Sequence, residues 1–266
     1  LEPERGHTRT ARLWTYVRDD RPSGSLEPPA VWYRYSPDRR GEHPQAHLSG
    51  YQGILQADGY SGYGELYREG RVVEAACMAH ARRKYYDVWK AQRSPLAREA
   101  ICRIALLYRI EREIRGRAPP ERLAVRQEKS LPILEALHRW LQQTLPTVSA
   151  KSPLGKAIYY SLVRWEALGR FCKDGRIEID NNTAERAMRA VVLGRRNFLF
   201  MGADTGGERA ANIYSLIATC LLNRMDPHAY LQYVLERIAE HRINRIHELL
   251  PWNVASQLGN PLQRAA

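Results

Sequence analysis

Gly53-Ile-Leu-Gln-Ala-Asp58-Gly59 is the stretch whose reading decides the fold. A short apolar run bounded by glycines reads as a buried strand, and this one ends on a carboxylate. The carboxyl ends of strands are where open α/β sheets place ligand sites. Asp58 can equally open an Asp-Gly turn, and position alone supports both readings. Downstream, Tyr60 to Arg68 reads as a helix closed by Gly70, and residues 71–78 (Arg-Val-Val-Glu-Ala-Ala-Cys-Met) as a second buried strand. Upstream, residues 12–18 and 30–35 alternate and are rich in β-formers, with a Pro/Gly/Ser turn between them, so they read as an antiparallel pair. A short helix is expected around residues 43–49. Trp14, Trp32, Trp140 and Trp165 are expected in the core.

The pattern changes at Ser94-Pro95, an N-cap followed by proline at the first helical position. Ile101, Ile104, Ala105 and Tyr108 then recur at helical spacing. Ala118-Pro-Pro and Ser152-Pro153 open two more helices. After Gly175 the character changes back, with Ile177-Glu-Ile179 leading into Asp180-Asn-Asn-Thr-Ala-Glu185-Arg186 and a helix. Gly202 to Gly207 reads as a tight turn opening another helix; it lacks the Gly-Lys-Ser/Thr ending of a phosphate-binding loop. Asp226-Pro227 caps a helix carrying Tyr230, Leu231, Val234 and Ile238 on one face. The expected fold class is therefore α/β. Residues 1–93 and 175–222 form a core with one mixed sheet flanked by helices, 94–174 an all-helical insertion, and 223–266 a helical C-terminal module.

The chain has 266 residues, is 44% hydrophobic and carries a formal charge of +12. A basic excess of this size points to polyanionic partners. Of 41 basic residues only six are lysine, and the arginine fork suits phosphate, although a G+C-rich genome favours the same composition. Cys77, Cys102, Cys172 and Cys220 are dispersed, which speaks against a disulfide scaffold and for a reducing compartment. No run of about eighteen apolar residues suggests a membrane span. The sequence opens Leu1-Glu-Pro-Glu-Arg, without Met, and is expected to begin inside a longer protein.

Glu185 is the second acid of interest. Asn182-x-x-Glu185 fits the spacing of a capping box, and a first-turn Glu is favoured by the helix dipole, so a structural role is open. Arg186, Arg189, Arg195 and Arg196 follow it, and a carboxylate amid cations suits a metal site facing phosphates. Two carboxylates plus phosphate oxygens suit Mg²⁺. Cys77-Met-Ala-His80 has zinc-like spacing but supplies two ligands where structural zinc takes four; packing roles are the expectation.

Gly53-Ile-Leu-Gln-Ala-Asp-Gly-Tyr-Ser-Gly-Tyr63, Ala76-Cys-Met-Ala-His-Ala-Arg-Arg-Lys84 and Ile179-Asp-Asn-Asn-Thr-Ala-Glu-Arg-Ala187 resemble the transposases of the insertion sequence 66 family. So do Arg12-Leu-Trp-Thr-Tyr-Val, Ser36-Pro-Asp-Arg, Gly41-Glu-His, Asp226-Pro-His-Ala-Tyr and Ile243-Asn-Arg-Ile-His-Glu-Leu-Leu-Pro-Trp252. The resemblance implies an RNase H-like fold with an Asp-Asp-Glu metal triad, in which Asp58 matches the second acid and Glu185 the third. The family's first acid, in an Asp-Glu-Thr motif on the preceding strand, matches no residue here; Asp19 and Asp20 fall in the turn after the Arg12–Arg18 run.

It also implies a DNA transposase of a bacterial insertion sequence, using Mg²⁺ (or Mn²⁺) to cut and join strands. Transposon ends and target would be its partners, and it would work as a homo-oligomer on DNA in the nucleoid-associated cytoplasm. Arg82, Arg83, Lys84, Arg186, Arg189, Arg195 and Arg196 are the expected backbone contacts. Lacking the first acid, this stretch is expected to be inactive alone. The alternatives are a non-catalytic DNA-binding remnant and an RNase H-like nuclease.

Overall fold

The computed structural model describes residues 8–194 and 200–258. In chain order run β1 (Arg12–Arg18), β2 (Ala30–Ser36), α1 (Glu42–His47), β3 (Gly53–Ala57), α2 (Gly64–Arg68), β4 (Val72–Ala76), α3 (Met78–Gln92) and α4 (Pro95–Ile114). Then follow α5 (Pro119–Val125), α6 (Leu131–Thr144), α7 (Pro153–Val163), α8 (Trp165–Gly169), α9 (Asn182–Gly194), α10 (Asp204–Leu222), α11 (Pro227–Leu235) and α12 (Pro251–Leu258). The chain divides into two compact units. Asp20–Leu26 with Pro44–Asn182 forms the Asp58 unit, and Leu1–Asp19, Glu27–His43 and Thr183–Ala266 form the Glu185 unit.

In the Asp58 unit, β3 and β4 pair in parallel, from Gly53 opposite Val72 to Ala57 opposite Ala76. Their connection includes α2 and turns at Gly70, whose φ of 75° suits a residue without a Cβ. Ala75, Met78 and Tyr85 pack with Ile104, Leu107, Leu137, Leu141, Ile158 and Phe171 in one core, so the helical stretch shares its interior with β4 and α3. The expected caps are present: Ser94 accepts from the Ala97 N–H at 3.3 Å, and Ser152 from the Gly155 N–H at 3.0 Å. A π-helical turn, Arg126–Ser130, links α5 to α6 and turns Arg126 inward. A buried charge needs a partner, and Arg126 has a bidentate one in Glu111, at 2.8 and 2.6 Å. Its remaining Nη1 donates to the carbonyls of Phe171 and Asp174 at 2.9 and 3.2 Å. Buried Arg122 pairs with Glu178. This network fixes the 171–178 segment that leads to Asp180.

In the Glu185 unit, β1 and β2 pair antiparallel, from Arg12 opposite Ser36 to Arg18 opposite Ala30. The free edge of β2 is covered by α10 through side chains four residues apart. Ser215 accepts from the Tyr33 N–H at 2.8 Å, and Thr219 accepts from the Val31 N–H at 3.1 Å while donating to its carbonyl. Asn223 donates to the Pro29 carbonyl at 2.9 Å. Helical hydroxyls and an amide thus take the place of a neighbouring strand. Gly207 lies against the Tyr35 ring, where a Cβ would collide. The far end of α10 packs with α11 and α12 around Cys220, Met225, Tyr230 and Val254.

Two expectations meet corrections. The single mixed sheet appears as two separate two-stranded sheets. The described residues contain four strands and no fifth that extends either pair. Of the four tryptophans, Trp14 is buried and Trp140 and Trp165 pack against the core, but Trp32 is exposed: on β2, Val31 and Tyr33 take the inward positions. No described helix is long and apolar enough to cross a membrane.

Candidate functional site

Asp58 follows the last residue of β3, and its carboxylate is exposed. One oxygen accepts from the Tyr60 N–H at 3.1 Å, closing a turn over Gly59, whose φ is 80°. Asp58 therefore opens a turn, as one of its two sequence readings has it, and its carboxylate remains exposed to solvent. The main chain of this turn is fastened to the end of α7. Tyr160 donates its hydroxyl to the Asp58 carbonyl at 3.1 Å, and Arg164 donates to the Gly59 carbonyl at 3.2 Å. A Cβ on Gly59 would sit 2.7 Å from Nε of Arg164, and the positive φ itself favours glycine there. Lys84, exposed on α3, places its ammonium 4.4 Å from the centroid of the Tyr160 ring, and Arg164 lies over the same ring at 4.5 Å. Burial raises the Tyr160 phenol above its ordinary range, the nearby Arg164 opposing. Tyr160 and Arg164 escaped the sequence reading. Their only signal was a tyrosine and an arginine four apart at the end of one helix.

Arg82, Arg83 and Lys84 all belong to the start of α3, which begins directly after β4; Arg83 and Lys84 are exposed. Cys77 precedes α3 and is fully buried. Burial pushes its thiol up to about 11, partly offset by the backbone N–H groups of Asn181, His80 and Ala79. Asp180 has its carboxylate taken up by structure. One oxygen accepts from the Asn182 N–H at 3.1 Å, the other from the Asn182 side chain and from the Tyr108 hydroxyl, both at 2.8 Å. Burial and this anion drive the Tyr108 phenol far above its usual range. The start of α3 is tied to this segment as well, since the Met78 N–H donates to the Ile179 carbonyl at 3.1 Å, and Gln56 of β3 donates to the Glu178 carbonyl at 2.6 Å.

Glu185 lies half-buried in the first turn of α9. It is Asp180 that hydrogen-bonds the Asn182 N–H at the entry to this helix. The helix is seated on β2 by the Tyr33 hydroxyl, which donates to the Ala187 carbonyl at 2.8 Å, and by Met188 and Val191 on its inner face. Arg186 and Arg189 are exposed, one and four residues on from Glu185; Arg186 donates to the Thr183 hydroxyl at 2.9 Å. Arg195 and Arg196 lie outside the described residues. Asp58 and Glu185 stand in different units, each placed within its own surroundings. Among the described residues no group of three or more His, Cys, Asp or Glu gathers so as to hold a metal ion.

The family model described as Transposase IS66 family matches residues 1–209, and that of the IS66 C-terminal element matches 215–252. Two proteins of Sinorhizobium fredii named as uncharacterized are similar. Protein y4hP is 48% identical over 91% of this chain and 47% of its own length, and protein y4qI is 42% identical over 95% of this chain and 48% of its own length. Protein YuaK of Escherichia coli, also named as uncharacterized, is 42% identical over 18% of this chain and 51% of its own length. The chain spans about half the length of the longer relatives it matches. No solved structure matches. The family models together cover nearly the whole sequence, and the chain belongs to the IS66 transposase family.

Proposed function

We propose that this chain is part of a DNA transposase that cuts and joins strands with divalent metal ions, and that Asp58 and Glu185 are its metal-holding carboxylates. Family membership along nearly the whole chain carries the reading. Asp58 fits a hard cation: it is an exposed oxygen donor on a turn fastened at two carbonyls. Glu185 is a second carboxylate oxygen donor, half-buried in the first turn of α9. Bound Mg²⁺ or Mn²⁺ would supply an activated oxygen nucleophile and neutralise charge on the leaving oxygen. Arg82, Arg83, Lys84, Arg186 and Arg189, with Arg195 and Arg196, would hold the phosphodiester backbone of transposon ends and target. Assembly as a homo-oligomer on DNA belongs to the same proposal. The finer fold reading is RNase H-like, and it is supported by an antiparallel pair followed by a parallel pair whose first strand leads directly into Asp58.

A second reading concerns this chain taken alone. Two carboxylates offer Mg²⁺ little, because that ion sheds water reluctantly, and no third acid joins either of them among the described residues. The chain by itself therefore binds DNA and does not cut it. Incubation with DNA carrying element ends in Mg²⁺ or Mn²⁺ tests both readings. Salt-sensitive binding without metal-dependent cleavage is expected. Cleavage by the chain that Asp58→Asn and Glu185→Gln abolish would overturn the second reading and keep the first; cleavage indifferent to both substitutions would overturn the assignment of the two acids.

A further inference from the structure

We propose that Lys84 and Arg164, gathered on the ring of Tyr160, form a phosphate-contact site for duplex DNA beside the Asp58–Gly59 turn. By this site the helical segment takes part in binding DNA. The inference rests on the reading of the protein as a transposase and adds to it Tyr160 and Arg164, which no sequence motif marks.

The charges carry the argument. The Lys84 ammonium and the Arg164 guanidinium lie 4.4 and 4.5 Å from one ring centroid, so they are at most about 9 Å apart. That is no more than the screening length of about 8–10 Å at physiological salt, and the two cations repel. Among the described residues neither has a carboxylate within ion-pair distance. Two other cations on aromatic rings in the same unit do have one, Arg126 over Phe171 with Glu111 and Arg103 over Trp140 with Glu99, whereas Arg93 over Trp89 stands alone on its ring among the described residues. Two neighbouring cations with no carboxylate in ion-pair contact are stabilised by an anion supplied from outside.

The donors fit a phosphodiester. Of the five guanidinium N–H groups of Arg164, one is spent on the Gly59 carbonyl, and the ammonium of Lys84 has three. The geometry is prearranged, because the Tyr160 hydroxyl is bonded to the Asp58 carbonyl and the ring cannot swing away without breaking that bond. Each ordered side chain lowers the entropy cost of gripping a ligand. Arg82 and Arg83 precede Lys84 on α3, so the backbone of a duplex would be met by consecutive cations and brought alongside the Asp58 carboxylate.

Binding of the full 266-residue chain to a labelled duplex of arbitrary sequence, followed by anisotropy from about 50 to 200 mM salt, is the test. Each of Lys84→Ala and Arg164→Ala is expected to make the plot of log K against log salt shallower by about one. Arg164→Lys is expected to recover the slope. Lys151→Ala is the control: Lys151 precedes α7, about 20 Å along the helix from Arg164, and should leave the slope alone. Because Arg164→Ala also removes a bond to Gly59, Lys84→Ala, which disturbs no hydrogen bond of the fold, is the decisive variant. An unchanged slope in Lys84→Ala, or a change no larger than that of Lys151→Ala, overturns the proposal while a steep wild-type slope leaves the transposase reading intact. A wild-type chain that binds without salt dependence, or fails to bind, removes both.

Discussion

Asp58 and Glu185 are supported by different kinds of structure. The unit around Asp58 is built on one continuous core of 22 buried residues, stitched internally by the buried Arg126–Glu111 pair. The unit around Glu185 has two clusters of four buried hydrophobic residues each, and α10 holds β2 largely through hydroxyl and amide groups. Apolar burial is non-directional and grows with area, whereas polar contacts fix geometry but contribute only about 1 kcal/mol each. The comparison teaches that the two acids rest on unequal foundations: the turn carrying Asp58 stands on the larger core, and the helix carrying Glu185 stands on a small apolar cluster and one hydroxyl contact, against a strand whose other side is held by polar groups.

The largest expected effect is in the first of these. Arg126→Ala leaves Glu111 buried without its partner and frees the carbonyls of Phe171 and Asp174. Removing one member of a buried pair costs about 3–5 kcal/mol. Hydrogen exchange read peptide by peptide should show lost protection in α4, α6 and the 171–178 segment, with α10 keeping its own. Equal loss in both units would break the comparison, since it would mean that one cooperative structure holds both acids. A smaller effect is expected at the α10–β2 contact. Thr219→Val keeps the shape and removes the hydroxyl that serves both the N–H and the carbonyl of Val31, at a cost of about 1–3 kcal/mol. Gly207→Ala should cost a similar amount by forcing a methyl against the Tyr35 ring. Both should loosen β1, β2 and α10 in exchange measurements and spare α4. Loss of protection that spreads to α4 would count against separate foundations.

Much of the fold was legible because helix starts are local chemistry. Ser94-Pro95, Ser152-Pro153 and Asp226-Pro227 each place a capping oxygen three or two residues before the N–H it accepts from, and all three caps are present. The strand leading to Asp58 was legible from its apolar run, and the helix carrying Glu185 from the Asp180-Asn-Asn-Thr stretch that opens it. What escaped depends on distant residues. The hydroxyl that holds the Asp58 carbonyl comes from 102 positions away, and nothing in Tyr160's neighbours indicates that target. Ser215, Thr219 and Asn223 stand four apart, but this spacing means nothing until β2 is known to lie beside it. Arg122 and Arg126 were counted with the basic excess pointing to polyanions, whereas both are buried against carboxylates. The helix expected to carry Ile238 ends at Leu235, leaving Ile238 exposed; periodicity continued past the point where packing stops.

The cysteines offer the gentlest way to sharpen the comparison, because they sit in both units and need no substitution. The thiolate is the reactive form, so a thiol that is both buried and raised in pKa stays silent. Burial pushes Cys77 up to about 11 and Cys172 and Cys220 up to about 12, and each is at most 1% exposed. Cys102 is exposed on α4. Near neutral pH the native chain should therefore take up one equivalent of an alkylating reagent quickly, at Cys102, and four when unfolded. Just below the denaturation midpoint the silent thiols report opening of their own surroundings. Cys220 belongs to a cluster of four buried residues, and Cys172 to the core of 22 that Cys77 adjoins between Ala76 and Met78. Cys220 should be labelled first, with Cys77 and Cys172 following together. Mass mapping of the alkylated peptides reads the order directly. Simultaneous labelling of all three would mean that the cluster around Cys220 is held as firmly as the core beneath the Asp58 turn.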